Sequence, residues 1–317
     1  MLTLRKTRKP RRKLKIALIV SLTVAAGGLS ATPGHAQHSE PVSLYVTVEQ
    51  GDKLIRGLQH QNFRLLENGE PREFRLEQPE KPVSIALLVE YSRNSDLYFN
   101  DIRAALQGFM KAAPQDDWLA AATFSNSMDV RVDFTKDRGD VEDAFAGLGP
   151  PMSSEINTYD AVYEMLERMG KLKGRRVLIL IGSGLDTFSK HTLDDVVRKT
   201  LQSSNVTVYG VGAGSLLRGR YAHGLSTAQR MHLTQAESFM RMLADESGGE
   251  AWFPKFESAF TGVMQGVIQS LDSQYRLVYT PQVPANQKFY KIKVEAFHVV
   301  NGKRQDFKVR ARAGWRL

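Results

Sequence analysis

The sequence predicts an α/β fold: a mainly parallel, Rossmann-like sheet with helices on both faces, joined by a small β-domain built from the two terminal segments. Three observations carry that expectation. The apolar runs Val83 to Val89, Trp118 to Phe124, Val177 to Ile181 and Val206 to Val211 are continuous rather than alternating, as strands covered on both faces must be. Between them, apolar residues recur every three or four positions, the helical period. Outside this region the period falls to two, the mark of half-buried strands.

At the start, Arg5, Lys6, Arg8, Lys9, Arg11, Arg12, Lys13 and Lys15 crowd into fifteen residues and precede an apolar stretch from Ile16 to Leu29. Small residues ending Gly34-His35-Ala36 follow. A basic leader, a short apolar core and small residues before a cut form a secretory signal, here over residues 1–36. The alternative is an uncleaved anchor; because the core of about fourteen residues is short for a bilayer span, cleavage after Ala36 is expected, leaving a mature chain without a span, periplasmic or secreted. Arg11-Arg12 adds a weak twin-arginine feature.

That leader also accounts for the net charge of +9. Beyond it, 35 Lys and Arg face 34 Asp and Glu, so attraction to polyanions disappears and no nucleic-acid partner is expected. The chain has no cysteine, which excludes disulfides, a lipidated cysteine and any thiolate nucleophile or metal ligand.

In residues 37–81, Val42, Leu44, Val46 and Val48 alternate with more polar neighbours, Gln50-Gly51-Asp52 reads as a turn, and a strand near Phe63 to Leu66 runs into the turn Glu67-Asn68-Gly69. The α/β unit is expected over residues 82–272. Ile102, Ala105, Leu106 and Phe109 share one helical face, as do Val162, Met165, Leu166 and Met169, and Thr192 with Asp195 reads as a capping box. A last helix is expected from the row Phe256, Phe260, Val263, Met264, Val267, Ile268 and Leu271. In residues 273–317, Ile292, Val294 and Ala296, the turn Asn301-Gly302, and Phe307, Val309 and Ala311 predict a hairpin. Each terminal piece has one apolar face, so the two are expected to pack together.

Ligands of open parallel sheets bind at the carboxyl ends of strands, near the point where strand order reverses. Two segments sit at such ends: Leu87 to Ser95, reading LLVEYSRNS, and Gly182-Ser183-Gly184-Leu185-Asp186-Thr187. In the first, Glu90 needs a partner because it ends a buried strand. Ser92, Asn94 and Ser95 are also the residue types that cap a helix, expected here to begin near Asp96, and Ser183 suits a turn. Gly210-Val211-Gly212-Ala213-Gly214 lacks the spacing of a dinucleotide loop. Arg218, Arg220, His223, Arg230 and His232 form a basic stretch between Ser215 and Gln235, expected as a solvated loop or a partner contact.

The chain resembles von Willebrand factor type A (vWA) proteins, and specifically an acidobacterial VWFA-related subgroup. The resemblance rests on Val46-Thr47-Val48, Gly57-Leu58, Phe63, Glu67-Asn68-Gly69, the strand from Pro82 to Val89, Tyr159-Asp160-Ala161, the loop from Ile181 to Thr187, Tyr275 with Tyr279 and Pro281, and Arg312-Ala313-Gly314-Trp315. It implies a metal-ion-dependent adhesion site of the form Asp-x-Ser-x-Ser, a Thr and a further Asp around Mg²⁺, a hard ion that takes oxygen ligands. This sequence departs from that set. Glu90 replaces the first Asp, Ser92 is kept, Asn94 replaces the second Ser, Ile156 falls at the Thr with Thr158 nearby, and Ser183 replaces the last Asp. Any metal site would rest on Glu90, Ser92 and Asn94, with Asp186 as a compensating carboxylate if its loop turns inward.

The resemblance therefore implies an exported protein-binding module with no required cofactor, and not an enzyme. Its expected partner is a protein, and its partner-binding residues are Glu90, Ser92, Asn94, Thr158, Ser183 and Asp186. Two readings compete: Mg-dependent, adhesin-like binding through a non-standard site, and a serine hydrolase built on Ser183. The second lacks a Gly-x-Ser-x-Gly elbow, because Ile181 occupies the first glycine position, and His191 has no evident orienting acid. In a third reading the β-domain makes the contact.

Overall fold

The computed structural model describes residues 40–282 and 288–316; the leader expected over residues 1–36 lies outside them. The chain first forms β1 (Val42–Gln50), β2 (Lys53–Leu54), β3 (Phe63–Glu67), β4 (Glu70–Arg72) and β5 (Arg75–Glu77). Then come β6 (Ser84–Glu90), α1 (Phe99–Ala112), β7 (Trp118–Phe124), β8 (Met128–Thr135), α2 (Arg138–Ala146), α3 (Thr158–Gly170), β9 (Arg176–Gly182) and α4 (Leu193–Gln202). β10 (Val206–Gly212), α5 (Gly214–Arg220), α6 (Thr227–Ser247), β11 (Ala251–Trp252) and α7 (Ala259–Ser273) complete the α/β part. It is followed by β12 (Tyr275–Tyr279), β13 (Phe289–Val300), β14 (Lys303–Asp306), β15 (Lys308–Arg310) and β16 (Gly314–Arg316).

The central sheet runs β11-β10-β9-β6-β7-β8, parallel except for the antiparallel edge strand β8. Because β6 is buried on both faces, its alternate residues feed two cores. Ile85, Leu87 and Val89 join Phe109 and Phe260 on one face, whereas Ala86 and Leu88 join Met165, Val196 and Leu243 on the other. The chain leaves β6 toward β7 and returns on the opposite side at β9. The crevice between β6 and β9 is thus the reversal point of the sheet.

The terminal segments form two further antiparallel sheets, ordered β15-β1-β12-β5 and β14-β13-β3-β4. Leu44, Val46, Phe63, Leu65, Leu277 and Ile292, drawn from both ends of the chain, share one core. The expected hairpin needs one correction. β13 pairs with β14 across the Asn301-Gly302 turn, but β15 leaves and pairs with β1, setting Val309 opposite Val48. The exposed, polar β14 has no apolar residue to hold the returning strand against the core; the Phe307 amide still donates to the Ala296 carbonyl of β13, and Val309 gains burial by crossing to the other sheet.

Three other expectations change. Phe256 precedes α7 and is 68% exposed, so the helix starts later than its apolar period implied. β8 and α2 had no counterpart in the sequence expectation, although Val130, Val132 and Phe134 alternate with charged residues as an edge strand should. The basic stretch after Ser215 is not a loop but α5 and α6 joined by a short turn. Ser226 and Gln229 cap α6 reciprocally, and Leu217 and Leu233 anchor the pair in the core.

Arg312 ties the terminal sheets to the α/β part. Its buried guanidinium donates to the carbonyls of Thr200 (3.0 Å), Leu201 (3.0 Å) and Ser203 (2.6 Å) at the end of α4, and to those of Val206 and Gly314. Burial pulls its pKa down to about 10, so it remains charged at neutral pH. The surrounding fit is close: a Cβ on Gly248 would stand 2.5 Å from the Arg312 nitrogen, and one on Gly249 2.0 Å from the Val208 oxygen. Arg312→Ala is expected to lower stability by about 3 kcal/mol, because several buried carbonyls lose a charged donor together. Urea unfolding checks this, and an unchanged midpoint overturns it.

Candidate functional site

Glu90 ends β6 and is fully buried in the crevice between β6 and β9. The Ser92 hydroxyl donates to its Oε1 at 2.7 Å; the Ser183 amide and hydroxyl both donate to Oε2 at 2.6 Å. The Ser183 hydroxyl also accepts from the Leu185 amide at 3.2 Å. The fully buried Tyr98 phenol faces the same carboxylate without completing a well-formed hydrogen bond to it. Burial pushes the Glu90 carboxyl above the usual carboxylate range, and the donors from Ser183 and Ser92 only partly offset this.

The crevice accepts Glu90 only because Gly182 ends β9. A Cβ there would lie 2.5 Å from Glu90 Cβ and 2.7 Å from Oε2. Gly182 is a site residue that the sequence reading missed. Its signal was available: a glycine closing an otherwise apolar strand marks a close approach by a neighbour.

The expected partner-binding residues divide into two groups. Glu90, Ser92 and Ser183 meet in the buried knot just described. Asn94 is exposed and makes no helix-capping bond, while Ser95 turns back to Ser92, accepting from its amide at 3.0 Å and donating to its carbonyl at 2.8 Å. The expected cap near Asp96 is therefore replaced by a closed turn, and α1 begins only at Phe99. Thr158 opens α3, is buried, and donates its hydroxyl to the Leu185 carbonyl. Asp186 does turn inward, but toward α3, where Oδ1 accepts from the Tyr159 amide (3.0 Å) and the Ser189 hydroxyl (2.6 Å). That places a carboxylate at the amino end of a helix, where the dipole favours it.

His191 has an orienting acid after all. Its Nδ1 lies 2.7 Å from Asp160 Oδ1, and its ring stacks on Tyr163 at 3.8 Å. Sequence distance hid the pair, since thirty-one positions separate the two residues.

Above the knot, the loops enclose two adjoining grooves of about 340 and 370 Å³. Asn94, Leu185 and His232 line both. Leu97, Leu217, Leu225 and Leu233 give the first an apolar floor, and Arg93 stands at its edge. Four large apolar side chains at this end of the chain's α/β part are exposed, three outside helices and one within α6: Met152 (75%), Phe188 (73%), Tyr221 (43%) and Met231 (54%).

A central, mainly parallel sheet with one antiparallel edge, and a polar knot at its reversal point, defines the architecture that the sequence comparison identifies. Residues 84–246, about half of the chain, match the von Willebrand factor type A domain. The chain belongs to that family. The match opens with β6 and closes within α6, so it contains the Glu90 knot and both grooves, and vWA domains generally mediate protein–protein interaction. No curated protein matches the sequence.

Solved structures resemble the vWA part at low identity. One is an aerotolerance-related membrane protein from Bacteroides fragilis (11% identity, TM-score 0.47, covering 60% of this chain and 99% of that one). Another is the conserved hypothetical protein BatB from Bacteroides thetaiotaomicron (13%, 0.45, 60% and 99%). A third is the vWF domain of the type V pili tip protein Mfa5 from Porphyromonas gingivalis (10%, 0.42, 59% and 95%).

Two outcomes test the knot. Because burial raises the Glu90 pKa, the folded state holds that proton more tightly than the unfolded chain. This contribution is complete below the ordinary Glu pKa of about 4.3 and is lost as pH rises through the folded value. Glu90→Gln keeps the shape and removes the ionisation, so its stability relative to wild type is expected to rise with pH. Thermal unfolding from acid to neutral pH measures this, and a parallel pair of curves overturns it. Gly182→Ala is expected to cost about 1–3 kcal/mol through overpacking, and Glu90→Gly in the same chain, which removes both the Cβ and the carboxylate that the new methyl meets, should recover part of that loss. Strict additivity in the double-mutant cycle would remove Glu90 as the clashing group.

Proposed function

We propose that this chain is an exported protein-binding module whose vWA loops, at the carboxyl ends of the central strands, dock a protein partner without a divalent ion. One observation carries the reading: the exposed Tyr221 lines the first groove, and the exposed Met152, Phe188 and Met231 adjoin the lining residues Arg93, Thr187 and His232, the first by a hydrogen bond and the others along the chain. Burying large apolar side chains is the main favourable term in association, and exposed ones beside a concavity mark a contact surface.

Metal independence is supported by the donor set. Mg²⁺ needs oxygen ligands with free lone pairs and retains several waters. Here a single carboxylate has both oxygens taken by Ser92 and Ser183, and the Thr158 hydroxyl is turned to a backbone carbonyl. Glu90, Ser92, Thr158 and Ser183 are fully buried, Asn94 is exposed, and Asp186 is bound to α3. These residues do not fit an octahedral, partly hydrated ion. The same burial counts against Ser183 as a nucleophile, since its hydroxyl proton is held by Glu90 and no substrate path reaches a fully covered side chain. Export is supported by the basic and apolar leader, and among the described residues no helix is long and apolar enough to cross a membrane.

Two measurements test the proposal. Added Mg²⁺, Mn²⁺, Ca²⁺ or EDTA should leave the melting temperature unchanged, because only a ligand of the native state raises it. A clear rise with any of the ions, reversed by EDTA, overturns the metal-free reading. Crosslinking in the intact envelope should capture a partner, and Phe188→Ser with Met231→Ser should reduce capture at least tenfold without altering the melting temperature, since such central apolar contacts are worth about 1.4 kcal/mol or more. Undiminished capture by that variant rejects this face.

A further inference from the structure

We propose that the first groove takes an acidic-apolar peptide segment of the partner, with a leucine-sized side chain on the leucine floor and a neighbouring carboxylate on Arg93. The inference rests on the docking face proposed above and assigns its ligand chemistry. The floor is a cavity of about 340 Å³ built by Leu97, Leu185, Leu217, Leu225 and Leu233, enough for one or two aliphatic side chains.

Charge complementarity selects what lies beside the apolar group. Arg93 donates Nε to the Met152 carbonyl at 2.9 Å, and its amide donates to the Ser153 carbonyl at 2.8 Å. Both ends of the residue are thereby fixed while the outer guanidinium edge stays exposed. Among the described residues it forms no ion pair within 4 Å. A guanidinium held this way offers a carboxylate two parallel donors with little further ordering cost.

The opposite wall adds to the positive field. From Ser215 to Gln235 it contains Arg218, Arg220 and Arg230 and no Asp or Glu. Glu237 neutralises Arg218 at 2.6 Å and Glu257 neutralises Arg220 at 3.0 Å. Arg230 instead donates to the carbonyls of Ala222 (2.8 Å) and Leu225 (2.7 Å), which fix it without cancelling its charge. His232 faces both grooves, and Asp96 is the one acidic residue lining the first. The balance favours an anionic group over a cationic one.

Titration of the leucine-methyl-labelled protein with acetyl-Leu-Asp-Leu-amide tests the assignment, alongside peptides with Asn or Lys in place of Asp. The Asp peptide is expected to move the methyl signals of Leu97, Leu185 and Leu225 and to bind about fivefold more tightly than the Asn peptide, as an exposed ion pair allows. The Lys peptide should be weakest. Arg93→Gln should erase the Asp advantage while leaving the affinity for the Asn peptide unchanged. Equal affinities for the three peptides, shifts away from the groove, or an Asp advantage that survives Arg93→Gln would each overturn the assignment. Failure here is separable from failure of the docking face. Loss of capture in the Phe188 and Met231 variant together with indifferent peptides keeps the face and removes this groove, whereas discriminating peptides with undiminished capture do the reverse.

Discussion

A carboxylate that has left water must find donors, and the end of β6 is arranged around that requirement. Three hydrogen bonds from Ser92 and Ser183 reach Glu90 across the reversal point of the sheet, and Gly182 provides the space. Because one donor belongs to the loop after β6 and the others to the loop after β9, the carboxylate fastens two loops that would otherwise move separately. The joining role falls to this buried side chain, and the loops are held from below.

The scaffold beneath those loops is stiff for an independent reason. The central sheet is covered on both faces, and its amino-terminal side is tied to the terminal sheets by buried arginines that end helices. Arg312 closes α4, and Arg175 donates to the Leu271 carbonyl at the end of α7 and to Gln274 at 2.6 Å. The close approach of Gly248 to Ala311 and Arg312 leaves little room for the two parts to slide. Stiffness at one end of the strands and a fastened knot at the other confine variation to the loop surface, where exposed side chains cost the fold little.

Continuous apolar runs made the parallel sheet legible in the sequence, since strands covered twice have no polar face to interrupt them. The edge strand β8 escaped notice because an edge has one wet face, so Asp129, Arg131 and Asp133 break the run. α5 and α6 were hidden by composition: arginines and histidines dominate the outer face, and the leucines that line the groove are spaced by both helices and the turn between them. At the site, Glu90 and Ser183 were readable as strand-end residues facing the reversal point. What their partners would be was not, because the bonds run between residues ninety-three positions apart. Thr158 and Asp186 show the same limit, as residue type announced a polar role and only the fold decided that the role was to hold a loop and a helix end.

A surface fixed from beneath binds differently from one that orders on contact. Ordering a loop and its side chains during association consumes about 0.5–1.5 kcal/mol for each immobilised side chain. Here Arg93, which lines the groove, is already held by Met152 and Ser153, and Arg230, beside the groove, by Ala222 and Leu225, so both cations are placed before any partner arrives. Leu217 and Leu233 are part of the main core as well as the groove floor, which makes that floor as immobile as the interior. The exposed side chains of Met152, Phe188 and Met231 are free to adapt in shape. Rigid charges and floor with an adaptable apolar edge favour discrimination by charge at the centre and tolerance of shape at the margin, which is the division of labour expected of a module that recognises a short chemical pattern within larger, varied surfaces.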